Sequence, residues 1–146
     1  MTDNTATHES IAELKAASLA LEDKTPQQIL AWAVEHYEPG LALACSFGGP
    51  SGMVLLDMMM KIDRSVEVFY LDTDFLFPET YHLRDVVAEK YGITPVGYMS
   101  LLTPSQQAAK YGEALWSRDP DACCEIRKVE PSARALQGKR AWISGI

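Results

Sequence analysis

A chain of 146 residues, 47% apolar and 23% charged, has the length and balance of one globular domain. Its formal net charge of -7, with no long block of one sign, argues against nucleic acid as a partner, and no apolar run approaches the length of a membrane span. The opening MTDNTATHES is polar and lacks the layout of a secretory signal, and an odd count of three cysteines suits a reducing compartment, so we expect a cytoplasmic protein.

Segments that read as helix alternate with segments that read as strand. In IAELKAASLAL, Ile11, Leu14 and Leu21 recur at helical spacing. TPQQILAWAVEHY follows with Thr25 as N-cap, Pro26 at the first helical position and Gln28 completing a capping box, and Pro39 and Gly40 stop it. LALACSF and VEVFYLDT are short runs suited to buried strands, with SGMVLLDMMMK as a helix between them. PETYHLRDVVAEKYG opens on Pro78, places Leu83, Val87 and Tyr91 on one face and closes on Gly92. ITPVGYMS reads as a third strand, and TPSQQAAKYG repeats the Thr-Pro-x-Gln start before Gly112. Asp119 and Pro120 start a further helix, which we expect to be interrupted or kinked near Pro131, and RAWISGI reads as a fourth strand. The alternation predicts an α/β domain with an open, mainly parallel sheet and helices on both faces.

In such a sheet, ligands bind beyond the carboxyl ends of the strands. Two loops are delivered there. SFGGPSG follows the first strand with Ser46, Gly48, Gly49 and Ser51; paired glycines let backbone approach a bulky anion, and the next helix start points N–H groups at it. The same turn would also serve simply to pack a helix on a strand. It is neither a Walker loop nor a dinucleotide fingerprint. LDTDFLFPET follows the second strand, where Asp72 and Asp74 could take a ribose hydroxyl or a cation, or cap the next turn. His8, His36 and His82 are scattered, and we read none as a ligand.

DPDACCEIRKVEP places Cys123 and Cys124 side by side, with Arg127 and Lys128 four residues on. A disulfide between sequence neighbours is strained, leaving metal binding or simple packing as readings. Side chains of adjacent helical residues diverge by about 100°, which suits a larger cluster better than one zinc ion. An iron–sulfur cubane takes four thiolates, whereas the third cysteine of this chain, Cys45, lies in a strand.

The motifs SFGGPSG, LDTDFLFPETY, YGEALWSRDPDACCEIRKVEP and AWISGI resemble successive motifs of the assimilatory sulfonucleotide reductases, most closely the bacterial adenylylsulfate (APS) reductases, from about residue 40 onward. The cysteine pair followed by Arg-Lys-Val-Glu-Pro is the most specific of them, because phosphoadenylylsulfate (PAPS) reductases of the cluster-free type keep Lys-Val-Glu-Pro without the pair. The resemblance implies an adenine nucleotide alpha hydrolase-like fold, with N-terminal helices over residues 1–39 and a reductase-like core over residues 40–146. It places the phosphosulfate near Ser46, Gly48, Gly49 and Ser51, the adenine side near Leu71 and Asp72, and Lys128 between cluster and substrate. Cys123 and Cys124 match two of the four ligands of a 4Fe-4S cluster, the others being a Cys-x-x-Cys further along the family sequence.

The implied reaction is reduction of adenylylsulfate to sulfite and AMP, with thioredoxin as electron donor and a cysteine of the family's C-terminal tail as nucleophile. On that alignment no catalytic residue falls within this chain, and we expect it to be truncated at the C-terminus. LDTD stands where the family more often has Leu-Asp-Thr-Gly. A PAPS reductase, an inactive nucleotide-binding fragment and an ATP pyrophosphatase-like adenylating enzyme are the alternatives, the last disfavoured because the loop lacks Ser-Gly-Gly-x-Asp-Ser. A homo-oligomer is compatible with the resemblance.

Overall fold

The computed structural model describes residues 9–145; His8 lies outside them. Four strands, β1 (Leu41–Ala44), β2 (Glu67–Asp72), β3 (Val96–Met99) and β4 (Ala141–Ile143), form one sheet in the order β3-β2-β1-β4. Every pairing is parallel, with Leu43 opposite Val68 and Ile143, and Tyr70 opposite Gly97. Side chains alternate across the sheet as the two-residue period requires. On one face Leu41, Leu43, Val68 and Tyr70 join the larger core; on the other Ala42 and Phe69 pack with Ala135.

The helices covering the first face are α2 (Pro26–Tyr37), α3 (Pro50–Ile62) and α4 (Pro78–Tyr91), which bury Leu30, Tyr37, Leu56, Met59, Val87 and Tyr91. Thr25 and Gln28 form the reciprocal capping box expected of them. Leu83 is the exception on α4: it is 37% exposed, so the buried stripe there is Val87 and Tyr91. The first helix, α1 (Ile11–Leu21), is capped by Ser10 and Glu13 yet buries no residue. Its apolar spacing marks a helix but not a core face.

Between β3 and β4 run α5 (Pro104–Tyr111), the four-residue α6 (Leu115–Arg118), α7 (Pro120–Cys124) and α8 (Glu130–Leu136). Thr103 and Gln106 box the start of α5, and Asp119 caps α7 through the Ala122 N–H. The interruption expected near Pro131 takes the form of a π-helical turn over residues 125–129, which joins α7 to α8 with helical dihedrals at both junctions. A proline inside an α-helix removes one hydrogen bond and clashes with the carbonyl four residues back; widening the preceding turn relieves both while the chain stays helical. Cys123, Cys124, Arg127 and Lys128 therefore ride one continuous helical rod.

Strand order reverses at β1, whose chain-order neighbour β2 lies on one side and β4 on the other. The crevice beyond the carboxyl ends of β1 and β4 is the topological switch point of an open α/β sheet, where ligands of such folds collect.

Candidate functional site

The loop after β1 occupies that switch point. Ser46 is exposed, and its Oγ accepts the Gly48 N–H at 3.4 Å. Phe47 turns inward with φ 53, buried to 2% exposure, and this reversal throws Gly48 outward. Gly49 is extended and serves as N-cap of α3 without any side-chain cap, so the first N–H groups of a thirteen-residue helix open onto the loop. Pro50 sits at the first helical position, where its missing N–H costs nothing.

Ser51 Oγ donates to the Gly145 carbonyl at 3.3 Å, tying the loop to the segment after β4. A Cβ on Gly145 would lie 3.0 Å from the Gly52 nitrogen, so two backbones meet here at a distance only glycine allows. Gly145 belongs to this site; its sequence signal was the Ser-Gly directly after the last strand. Cys45 lies behind the loop at 1% exposure, and burial pushes its thiol pKa up.

The loop after β2 forms the next wall. Leu71 is half-buried and Asp72 is buried at the strand end. Asp72 Oδ1 accepts the Asp74 N–H at 3.0 Å and the Tyr81 hydroxyl at 2.7 Å. One role of Asp72 is thus to cap its own turn. The hydrogen bond to Asp72, helped by burial, raises the Tyr81 phenol to about 12, which keeps it a donor. Asp74 adopts φ 62, a left-handed conformation that aspartate tolerates better than most residues.

Vicinal positions on a helix send Cys123 and Cys124 in different directions, so Cys123 is 9% exposed and Cys124 is exposed. Both still line one cavity of about 270 Å³, together with Thr73, Phe75, Trp116, Arg127 and Lys128. A neighbouring hollow of about 460 Å³ shares Phe75 and Trp116 as its partition. Lys128 is exposed, but Arg127 is not a solvated partner to it: Arg127 is 2% exposed and its Nη1 donates to Asp74 Oδ2 at 2.6 Å. The basic pair of the sequence is therefore split, one cation structural and one free to face the cavity.

Two observations bear on a metal cluster. Arg127 Nη2 is buried without a hydrogen-bond partner among the described residues, beside the thiols, where negative charge would complete it. No group of three or more His, Cys, Asp or Glu that could hold a metal occurs among the described residues. The thiols and the orphaned donor fit half of a four-thiolate site. His36 and His82 stand apart: His36 shares a hydrogen bond with the Trp32 carbonyl on α2, and His82 is exposed on α4. No described helix is long and apolar enough to cross a membrane.

The chain is thus an α/β domain whose open parallel sheet carries an uncapped glycine loop at its switch point and a cavity lined by two thiols at the end of the adjoining strand. Residues 40–146 match the phosphoadenosine phosphosulfate reductase domain, and the chain belongs to that family. Among similar proteins is an adenosine 5'-phosphosulfate reductase of Salinibacter ruber, 40% identical over 144 residues, covering 99% of this chain and 57% of that protein. Another, from Lysinibacillus sphaericus, is 45% identical over 120 residues, covering 82% of this chain and 51% of that protein. The chain spans about half the length of the curated relatives it matches. Among solved structures, the phosphoadenylyl-sulfate (PAPS) reductase of Candida auris, a phosphate complex, superposes with a TM-score of 0.82 at 31% identity, covering 95% of this chain and 69% of that one.

Proposed function

We propose that this chain is the nucleotide-binding part of a reductase that converts adenylylsulfate to sulfite and AMP in sulfate assimilation. The observation that carries the reading is the single cavity shared by Cys123, Cys124 and Lys128 against the carboxyl edge of β2. An exposed cation lining the thiol cavity, with an uncapped helix start at the switch point of the same sheet, supplies two features suited to a phosphosulfate.

In this reading Ser46, Gly48, Gly49 and Ser51 hold the phosphosulfate through backbone N–H groups and hydroxyls. Leu71 packs on the adenine side and Asp72 takes the nucleoside. Cys123 and Cys124 are two ligands of a 4Fe-4S cluster, with Arg127 Nη2 donating toward its negative charge. When bound, that cluster supplies a compact charge beside the phosphosulfate, against which Lys128 is set.

The reaction needs a thiolate to attack the sulfur of the substrate, forming an S–S bond and breaking the S–O bond so that AMP leaves. A dithiol of the thioredoxin class then supplies two electrons, releasing sulfite and ending as a disulfide. Cys45 does not suit the attack, being buried with a raised pKa. The nucleophile is a cysteine of the kind the resemblance places in the family's C-terminal tail. Reduced free cysteines suit the cytoplasm. For self-association the exposed Ile11 and Leu19 of α1 offer apolar surface.

Titration calorimetry with adenylylsulfate and its 3'-phosphorylated counterpart tests the reading. The chain should prefer adenylylsulfate, and Lys128→Ala should weaken it about tenfold, as loss of a charge-assisted contact does. Lys61→Ala, an exposed residue of α3 paired with Asp57, should leave the affinity unchanged. Tighter binding of the 3'-phosphorylated nucleotide, or equal effects of the two lysine variants, would contradict the assignment.

A further inference from the structure

Four polar contacts run in series from the loop after β2 to the buried thiol. Asp74 Oδ2 accepts from Arg127 Nη1 at 2.6 Å; Arg127 Nε donates to Gln107 Oε1 at 2.7 Å; Gln107 Nε2 reaches Cys123 Sγ at 3.7 Å. The fourth contact closes the start of the series, since Asp72 Oδ1 holds the Asp74 N–H and so fixes the turn that presents the carboxylate. Gln107 is 5% exposed and Arg127 2%, so neither can exchange these partners for water.

Chemistry orders the series. A guanidinium only donates, so the group it meets on Gln107 has to be the amide oxygen, and the NH2 is left to face Cys123. Arg127 therefore decides which way the Gln107 amide points. The guanidinium is planar, so clamping Nη1 on Asp74 and stacking the group over the Phe75 ring at 5.3 Å fixes where Nε lies. Asp74 carries the only acidic group in the series able to do this, and it does so from a left-handed backbone position.

We propose that Asp74 is a positioning residue for Cys123, acting through Arg127 and Gln107 to hold an N–H donor on its sulfur and keep the thiol in one shielded orientation. Cys124, one residue along, is exposed and has no such donor among the described residues. The two adjacent thiols are thereby made inequivalent: one preset by the loop after β2, the other free to adapt. The inference deepens the proposed reading, in which both thiols take metal, but its readout is the free thiol, so either can fail without the other.

The test is alkylation by iodoacetamide at fixed pH on the reduced, metal-free 146-residue chain in a Cys124→Ser background, read by mass spectrometry at Cys123 and at Cys45. Cys45 is buried at 1% exposure and reports opening of the whole fold. Asp74→Gly removes the carboxylate without straining the backbone, because glycine takes this φ freely. It should speed alkylation of Cys123 about tenfold while Cys45 changes by less than about twofold, the selective loss of a local restraint. Asp74→Asn keeps a side-chain oxygen for Arg127 and the left-handed turn, and should return Cys123 to within about twofold of its original rate. Gln107→Ala, which removes the donor and uncovers the sulfur, should reproduce the selective rise. If Asp74→Gly speeds Cys45 in step with Cys123, Gln107→Ala decides: a selective rise supports the role and none overturns it. An unchanged Cys123 rate in both variants, or an Asp74→Asn rate as high as that of Asp74→Gly, overturns it as well.

Discussion

Arg127→Ala should lower the melting temperature of this chain by about 5 °C, given ~2 kcal/mol of lost stability in a domain of this size. Arg127 is 2% exposed, and removing it leaves the Asp74 carboxylate and the Gln107 amide oxygen without their donor. Breaking one side of a fully buried ion pair costs roughly 3–5 kcal/mol. Asp74 retains 22% exposure, and water reaching it recovers part of that. The stack over Phe75 and the packing of the alkyl stem are lost too. Lys61→Ala makes the control, since Lys61 is 72% exposed and its ion pair with Asp57 is an ordinary helical one. Thermal unfolding followed by circular dichroism should show a clear drop for Arg127→Ala and none for Lys61→Ala. Equal melting temperatures for the two would show that Arg127 is not a structural cation and that the contacts built on it are misassigned.

The second large effect concerns metal. Cluster thiolates bind as a set, and two ligands from one helical rod cannot enclose a cubane; iron held by them alone is open to loss and oxidation. Cys123 and Cys124 share their cavity with no third cysteine, and Cys45 is buried behind the loop after β1. Purified without oxygen, the 146-residue chain should be nearly colourless, with iron and acid-labile sulfide far below stoichiometric. Joined to the part of the Salinibacter ruber reductase that lies beyond its match to this chain, it should turn brown and carry about four iron and four sulfide per chain. Cys123→Ser or Cys124→Ser in that fusion should bleach it. A stable stoichiometric cluster in the 146-residue chain alone would show that the ligand set is complete without further thiols.

Local signals were legible because their causes are local. The Thr-Pro-x-Gln starts at Thr25 and Thr103 are capping boxes in the structure, since the contacts they need span three residues. The central strands β1 and β2 stand out as apolar runs because they are buried on both faces, whereas β3 and β4 lie at the edges and are more exposed. The cysteine pair and the glycine loop were likewise visible as motifs. What escaped depends on distance along the chain. The Asp74–Arg127 pair joins residues 53 apart, and nothing in Arg-Lys said that one cation faces inward and the other outward. Gln107 reads as one more polar residue of a capped helix, yet it is buried to serve as a bridge. The π-helical turn escaped because proline signals a disturbed helix without saying whether the chain bends or the preceding turn widens. α1 shows the converse, an apolar spacing that buries nothing among the described residues.

Sulfite release by the same fusion tests the assignment of this chain as the nucleotide-binding part of an adenylylsulfate reductase. With a thioredoxin and its reductant present, the fusion should release sulfite from adenylylsulfate faster than from the 3'-phosphorylated nucleotide, and Lys128→Ala should slow it by at least about tenfold. A fusion that carries its full complement of iron yet releases no sulfite from adenylylsulfate, or prefers the 3'-phosphorylated nucleotide, would contradict it.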